Sequence, residues 1–131
     1  MKLLLDTHIF LWFISGDPHL PDFMRGSIQN PDNDVYLSVV SVWEAIVKYQ
    51  LRKLALPHPP ESYLPEQRER HQIASLVLDE ASVSRLARLP SLHRDPFDRM
   101  IICQSLEHNL TIVTVDSVIG YYPVRILRMT A

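Results

Sequence analysis

The chain has little cysteine, no excess of positive charge and no repeat or linker. Cys103 is the one cysteine in 131 residues, which excludes an internal disulfide and fits a reducing cytosol. The formal net charge of −2 predicts no broad basic face. A nucleic-acid partner would therefore have to be held by local basic residues or through metal ions.

Long apolar segments are also missing. No apolar run approaches the roughly 18 residues that a membrane-spanning helix requires. Lys2 and the leucines after it could suggest a signal peptide, but Asp6 and His8 interrupt the run and no small-x-small cleavage site follows. We therefore expect a cytoplasmic protein without a membrane partner.

What is present is the composition of a globular domain. Hydrophobic residues make up 47% of the chain and charged residues 21%, proportions that disordered chains do not have. A chain of this length can bury a real core. We therefore expect one domain that spans residues 1–131.

Strand-like segments alternate with helical segments along the chain. Strands are predicted at residues 3–5, 34–38, 73–78, 111–115 and 124–127. Helices are predicted at residues 7–14, 21–29, 41–51, 60–70, 79–89 and 97–108. In the fifth helix, Val83, Leu86 and Ala87 should face inward. The alternation predicts an α/β fold, a three-layer α/β/α sandwich with a central, mostly parallel five-stranded sheet in an order such as 3-2-1-4-5.

Four acidic side chains should meet at one edge of this sheet. Asp6 and Asp116 follow the first and fourth strands, while Glu44 and Asp98 lie in the first turns of two helices. Helices that flank a parallel sheet run opposite to its strands, so a helix that follows a strand begins at that strand's carboxyl end. Open α/β sheets place their binding crevice at this edge.

Each acid also has a purely structural interpretation. The stretch from Ser41 to Glu44 matches a capping box. Asp95 resembles an N-cap, with Pro96 at the first helical position and Asp98 favoured by the helix dipole. The acids after the two strands could likewise cap the turns that follow. Capping does not, however, require the four acids to meet.

Carboxylates that converge in one cleft repel each other unless a cation neutralises them. Mg²⁺ or Mn²⁺ is the natural occupant, because such a hard ion takes oxygen ligands and keeps waters for a substrate. The ion lowers the pKa of its water, and two ions can hold the attacking and leaving oxygens of an in-line displacement. The pattern therefore favours metal-assisted phosphate chemistry.

The same residues stand in motifs that resemble the PIN-domain ribonucleases and, within them, the VapC toxins of bacterial toxin–antitoxin pairs. The motifs are Leu-Leu-Leu-Asp-Thr-His at residues 3–8, Ser-Val-Trp-Glu at 41–44, His-Arg-Asp-Pro-Phe-Asp-Arg at 93–99 and Thr-Val-Asp at 114–116. The resemblance covers the whole chain in order. It implies an α/β/α sandwich, Mg²⁺- or Mn²⁺-dependent cleavage of RNA, a homodimer and inhibition by a cognate antitoxin.

The resemblance also implies roles for individual residues. The acids that bind the metal and carry catalysis would be Asp6, Glu44, Asp98 and Asp116. Thr7 and Thr114 would be supporting hydroxyls near the site. Asp95, three residues before the third of these acids, either joins the site or caps the helix.

Several basic residues have two interpretations. Arg94 and Arg99 could hold RNA phosphates or pair with acids. His8 and His93 lie near the expected cleft, where they could touch substrate or remain solvated. The six histidines show no ligand spacing. Lys48, Arg52 and Lys53 are expected to form a solvated helix face, with RNA contact as the alternative.

Aromatic residues near the amino terminus exceed what one core face requires. We expect Trp12, Phe13 or Tyr49 to help form a groove for an antitoxin segment, with plain core packing as the alternative.

Other function classes fit less well. A receiver-like phosphoacceptor domain would carry an acidic pair after the first strand and a lysine after the fifth, but Asp6 stands alone and the last strand ends in arginine-rich sequence. A haloacid-dehalogenase-like phosphatase would need Asp-x-Asp. A catalytically inactive PIN binding module is a further alternative, and four intact acids argue against it.

Overall fold

The computed structural model describes residues 1–129. Its strands are β1 (Lys2–Leu5), β2 (Asp34–Ser38), β3 (Ala74–Leu76), β4 (Thr111–Val113) and β5 (Arg125–Ile126). Its α-helices are α1 (Thr7–Ser15), α2 (Asp22–Gln29), α3 (Val39–Gln50), α4 (Pro60–Arg70), α5 (Glu80–Ser84) and α6 (Pro96–His108). None of these helices is long and apolar enough to cross a membrane.

The five strands form one parallel sheet in the order β3-β2-β1-β4-β5. This is the predicted order, with β1 in the middle between β2 and β4. The three leucines of β1 are completely buried, because helices cover both faces of the sheet. A strand in that position needs apolar side chains on both sides, which explains a continuous apolar run instead of an alternating one.

The sheet divides the core into two apolar clusters. Leu3 and Leu5 pack in the cluster that includes Phe10 of α1 and Leu64 of α4. Leu4 points to the other face and belongs to the cluster built on α6. Helices therefore lie on both sides of the sheet, and the predicted three-layer sandwich is confirmed.

Helix α3 begins earlier than predicted. Ser38, the last residue of β2, is its N-cap, and the Ser38 hydroxyl accepts a hydrogen bond from the backbone N–H of Val40 at 3.0 Å. The capping-box interpretation of Ser41 and Glu44 is therefore wrong. Because the chain passes directly from β2 into the helix, Glu44 lies in the second turn.

The segment after β3 also differs from the prediction. Helix α5 has only five residues and tightens into a 3-10 turn at Arg85–Ala87. Val83 is 41% exposed and Ala87 is exposed as well, while Ser82 is buried. The inward positions predicted for Val83 and Ala87 are wrong, because a 3-10 turn has three residues per turn and shifts the buried face.

Candidate metal centre

Asp6 lies at the carboxyl end of the central strand. Its backbone N–H continues the ladder to the carbonyl of Val113 at 3.0 Å. Its carboxylate caps α1 by accepting from the N–H of Thr7 at 2.8 Å, and it accepts from the Thr114 hydroxyl at 2.6 Å. The side chain is nearly inaccessible, and this burial, reinforced by the charge of Glu44, raises the pKa of Asp6.

Thr114 links two of the predicted acids. Its hydroxyl donates to Asp6 and accepts from the backbone N–H of Asp116 at 3.0 Å. The hydroxyl therefore ties the end of β1 to the loop after β4. This is the position near the acids that the sequence predicted for a supporting hydroxyl.

Thr114→Val is expected to destabilise the metal-free protein by about 1–3 kcal/mol, because it leaves a buried Asp6 oxygen without its donor. Valine has the size of threonine, so packing changes little. Urea unfolding followed by circular dichroism measures the difference, and Thr114→Ser, which keeps the hydroxyl, is the matched control. Equal unfolding midpoints for all three proteins would show that this hydrogen bond is unimportant.

Glu44 is held on both of its oxygens. It is buried on α3, and the Thr7 hydroxyl donates to its Oε1 at 2.7 Å. Since Thr7 has one hydroxyl proton, the contact with Ser41 at 2.8 Å must be a donation from Ser41 to Thr7. The other oxygen, Oε2, binds the Lys48 ammonium one helical turn later.

Lys48 is therefore not part of a solvated helix face, and that interpretation is wrong. Its side chain is two-thirds buried and lies against the acidic cluster. Burial alone would lower the pKa of Lys48, but the hydrogen bond to Glu44 and the charges of Glu44, Asp95 and Asp98 raise it. Lys48 consequently carries a positive charge at the edge of the cleft.

Asp95 and Asp98 begin α6. Asp95 is the N-cap, and one of its oxygens accepts from the N–H groups of Phe97 at 2.8 Å and Asp98 at 3.2 Å. The capping interpretation of Asp95 is thus confirmed, and any further role in the site stays a prediction. Pro96 occupies the first helical position, where its missing N–H costs nothing.

The pKa of Asp98 reflects both its burial and the charges of the other acids. Burial raises the pKa of Asp98 to about 8, with further increases from the negative charges of Asp6, Asp95, Glu44 and Asp116. All three of the other predicted metal ligands therefore lie close enough to repel this carboxylate. The structure brings the four acids to one cleft, and their roles in metal binding remain a prediction.

The pKa of Asp116 shifts in the opposite direction to that of Asp98. Burial disfavours its charge, but a hydrogen bond from His93 and another from the N–H of Val118 outweigh that effect and lower its pKa. Nε2 of His93 lies 2.8 Å from Asp116 and 3.2 Å from Asp98. The sequence placed His93 near the cleft without predicting this contact, because nothing in the spacing of the histidines signals it.

The two arginines behave differently from the histidine. Arg94 is exposed, and Arg99 donates to the carbonyl of Pro90 at 3.1 Å. In the part of the chain that the structure describes, neither arginine forms an ion pair. The predicted pairing with acids is therefore wrong, and contact with RNA stays a prediction.

The donor set fits a hard divalent cation. It consists of carboxylate oxygens that come from four separate segments, and burial together with the charges of the other acids raises the pKa of one of them, Asp98, to about 8. Mg²⁺ and Mn²⁺ prefer such oxygen ligands. His93, Asp98 and Asp116 also offer three ligand-type atoms that lie within 4.8 Å of one another.

A groove beside the predicted aromatic residues is found in part, and its use by an antitoxin stays a prediction. An apolar groove of about 240 Å³ is lined by Trp12 of α1 together with Leu54, Leu56 and Tyr63. Phe13 is only 7% exposed, belongs to the core and lines a different cavity, so it does not help to form this groove. Tyr49 is partly buried and lines a different cavity.

Comparison with known proteins gives a family match over most of the chain. The model of the PIN domain family matches residues 3–123. A curated relative, Ribonuclease VapC16 of Mycobacterium tuberculosis, is 37% identical over 57 residues. That alignment covers 44% of this chain and 40% of the relative, so it spans less than half of either protein.

Solved structures share the fold at low sequence identity. A structure of VapBC2 from Rickettsia felis bound to a DNA fragment from its promoter matches with a TM-score of 0.71 and 19% identity, covering 98% of both chains. A structure of FitAcB from Neisseria gonorrhoeae matches with a TM-score of 0.63 and 21% identity, covering 96% of both chains. These likenesses establish the architecture.

Proposed function

Because this chain belongs to the PIN domain family, we propose that it is a ribonuclease that cleaves RNA phosphodiester bonds with the help of Mg²⁺ or Mn²⁺. The residues proposed to bind the metal and to carry catalysis are Asp6, Glu44, Asp98 and Asp116. The observation that carries the proposal is the convergence of these acids: the Thr114 hydroxyl contacts both Asp6 and the N–H of Asp116, and Nε2 of His93 lies 2.8 Å from Asp116 and 3.2 Å from Asp98. Carboxylates at such distances repel one another. A divalent cation relieves that repulsion.

When bound, the cation would polarise the scissile phosphate and supply a hydroxide near neutral pH. The chain's own residues prepare its binding. Thr114 and Thr7 fix one oxygen each of Asp6 and Glu44, so these carboxylates do not have to be ordered when the metal arrives. Arg94 and Arg99 flank Asp98 in the sequence, and we propose that they contact RNA phosphates.

The test is cleavage of a set of cellular RNAs with Mg²⁺, with Mn²⁺ and with a chelator. We expect cleavage by the wild-type protein with either metal and none with the chelator. Asp98→Asn should reduce the rate by about 100-fold or more, because it removes a charge from the site. The control is Asp32→Asn, which makes the same chemical change in an exposed turn just before β2, at the opposite edge of the sheet.

Two results would contradict the proposal. Undiminished cleavage with chelator or by Asp98→Asn would mean that the activity comes from elsewhere, such as a contaminating nuclease. Absence of cleavage by the wild-type protein on every RNA would favour a PIN domain that only binds.

We further propose that the protein is the toxin of a two-gene pair, that it acts in the cytoplasm as a homodimer, and that a cognate antitoxin inhibits it. Support comes from the similarity to Ribonuclease VapC16 and to the VapBC2 structure. The apolar groove beside Trp12 offers a surface for an antitoxin segment. A small neighbouring open reading frame with a DNA-binding start is the observation that tests this pairing.

A further inference from the structure

His93 faces two of the acids from the loop that precedes α6. Its side chain is only 13% exposed, and its Nε2 lies 2.8 Å from Asp116 Oδ2 and 3.2 Å from Asp98 Oδ2. By distance alone, this nitrogen could be a metal ligand beside the two carboxylates. The hydrogen bonds around the ring argue against a role as a metal ligand.

The other ring nitrogen is an acceptor. The backbone N–H of Asp95 donates to Nδ1 of His93 at 3.1 Å. A backbone amide can only donate, so Nδ1 carries a lone pair and the hydrogen of the neutral ring is on Nε2. Turning the ring by 180° would put carbon atoms in both positions and remove both sets of contacts. Nε2–H is therefore a donor to the carboxylate of Asp116, with Oδ2 of Asp98 close by at 3.2 Å.

The loop around His93 is anchored so that the ring keeps this direction. The backbone N–H groups of Leu92 and His93 both donate to the hydroxyl of Tyr122, at 3.0 Å and 2.8 Å. That hydroxyl donates in turn to the carbonyl of Pro90 at 2.7 Å, and Tyr122 is buried. One phenol thus closes the loop, and the Asp95 amide fixes the ring within it.

Coordination of a metal through Nε2 would work against this arrangement. Nε2 would first have to lose its hydrogen, and a hydrogen moved to Nδ1 would meet the Asp95 N–H. A hydrogen that stays on Nε2 instead engages Oδ2 of Asp116 and lies beside Oδ2 of Asp98. Oδ1 of Asp98 is left for the cation, and Oδ1 of Asp116, which accepts from the N–H of Val118 at 2.9 Å, keeps a second lone pair for it.

We propose that His93 is a positioning residue of the metal centre, which holds Asp116 beside Asp98 through its Nε2–H and does not coordinate the metal itself. This role rests on the proposed function, since it concerns the acids that bind the ion. Residues that orient metal ligands typically change metal affinity by about 10- to 100-fold when they are lost.

The first measurement needs no metal. A long-range ¹H–¹⁵N correlation spectrum of the metal-free protein reports which ring nitrogen of each histidine carries the hydrogen. We expect the Nε2–H form for His93, assigned by its disappearance in His93→Asn. An Nδ1–H form would overturn the proposal.

The second measurement is Mn²⁺ binding, followed by electron paramagnetic resonance. Glutamine can place an amide N–H near the Nε2 position, whereas asparagine keeps an acceptor for the Asp95 amide but cannot reach the two acids. We expect His93→Asn to weaken Mn²⁺ binding by about 10-fold or more and His93→Gln to recover most of the loss. A purely structural role in the loop would not give this order, because asparagine preserves the loop contact better than glutamine does.

Pulsed measurements on the wild-type protein complete the test. We expect no directly coordinated ¹⁴N in the Mn²⁺ spectrum. A nitrogen coupling that His93→Asn removes would make His93 a ligand and refute the positioning role, while the metal-dependent function would stand. Equal Mn²⁺ affinity of His93→Asn and wild type would also refute it. Absence of Mn²⁺ binding by the wild-type protein would instead refute the proposed function, and the role of His93 with it.

Discussion

Asp98→Asn is expected to raise the melting temperature of the metal-free protein, by about 10 °C at pH 8, although the same change should abolish cleavage. The carboxyl of Asp98 is buried among other acids, which raises its pKa to about 8 in the folded protein. Ionising it there costs free energy that asparagine does not incur. The shift corresponds to about 3 kcal/mol at pH 8, after an allowance for the partial solvent exposure of the group.

The stability gained by Asp98→Asn should increase as pH rises. The ordinary pKa of an aspartate carboxyl is 3.8, which is close to its value in the unfolded chain. As pH rises above about 4, the unfolded chain loses this proton while the folded protein keeps it, so wild-type stability falls until pH reaches about 8. The advantage of Asp98→Asn should therefore be small at pH 5 and largest at pH 8 and above.

Thermal unfolding in the presence of chelator, at pH 5 and pH 8, makes the measurement. Asp32→Asn is again the matched control, and its melting temperature should equal that of the wild-type protein at both pH values. Adding Mn²⁺ should then stabilise the wild-type protein and leave Asp98→Asn nearly unchanged, since an ion that binds only the folded state raises its stability. A lower melting temperature of metal-free Asp98→Asn at pH 8 would mean that the acids do not repel one another there.

Leu4→Ala is expected to remove about 2–5 kcal/mol of stability, a large part of what a domain of this size has. Leu4 is completely buried in the middle strand and packs against the cluster built on α6. Removing its side-chain methyls leaves a cavity between the strand and α6. The two elements cannot easily shift to close this cavity, because β2 and β4 hold the strand on both sides.

Urea unfolding measures this loss. The slope of the unfolding free energy against urea concentration should be unchanged if the native state stays compact. Leu4→Met keeps most of the volume and should cost less than about 1.5 kcal/mol. Leu92→Ala truncates a leucine that is 52% exposed and should cost little. A loss below about 1 kcal/mol for Leu4→Ala would show that the sheet and α6 are less tightly packed than the structure indicates.

The fold was predictable where the chain carries continuous local signals. The three leucines before Asp6 mark a strand that is covered on both faces, and the alternation of strands with helices fixes parallel pairing. The family match confirms the resemblance that the four motifs indicated. The positions of the acids follow from the same signals, because each acid stands directly after a strand or near a helix start.

The errors arose where the outcome depends on distant parts of the chain. Both Ser38 and Ser41 are good N-caps, and the exit direction of β2 decides between them. Lys48 has the spacing of an ion-pair partner for Glu44, but only the packing of α3 against its neighbours makes that face buried. The direction of His93 is set by a hydroxyl 29 residues further on, which no local pattern reveals.

The placement of β1 in the middle of the sheet has a consequence for biosynthesis. Asp6 is synthesised early within this domain, yet the Thr114 hydroxyl that holds it is 108 residues away. The strand that pairs with β1 on that side, β4, is also made late. A nascent chain therefore has its first acid long before it can assemble the cleft, and the complete set of carboxylates comes together only when translation of this domain is almost finished.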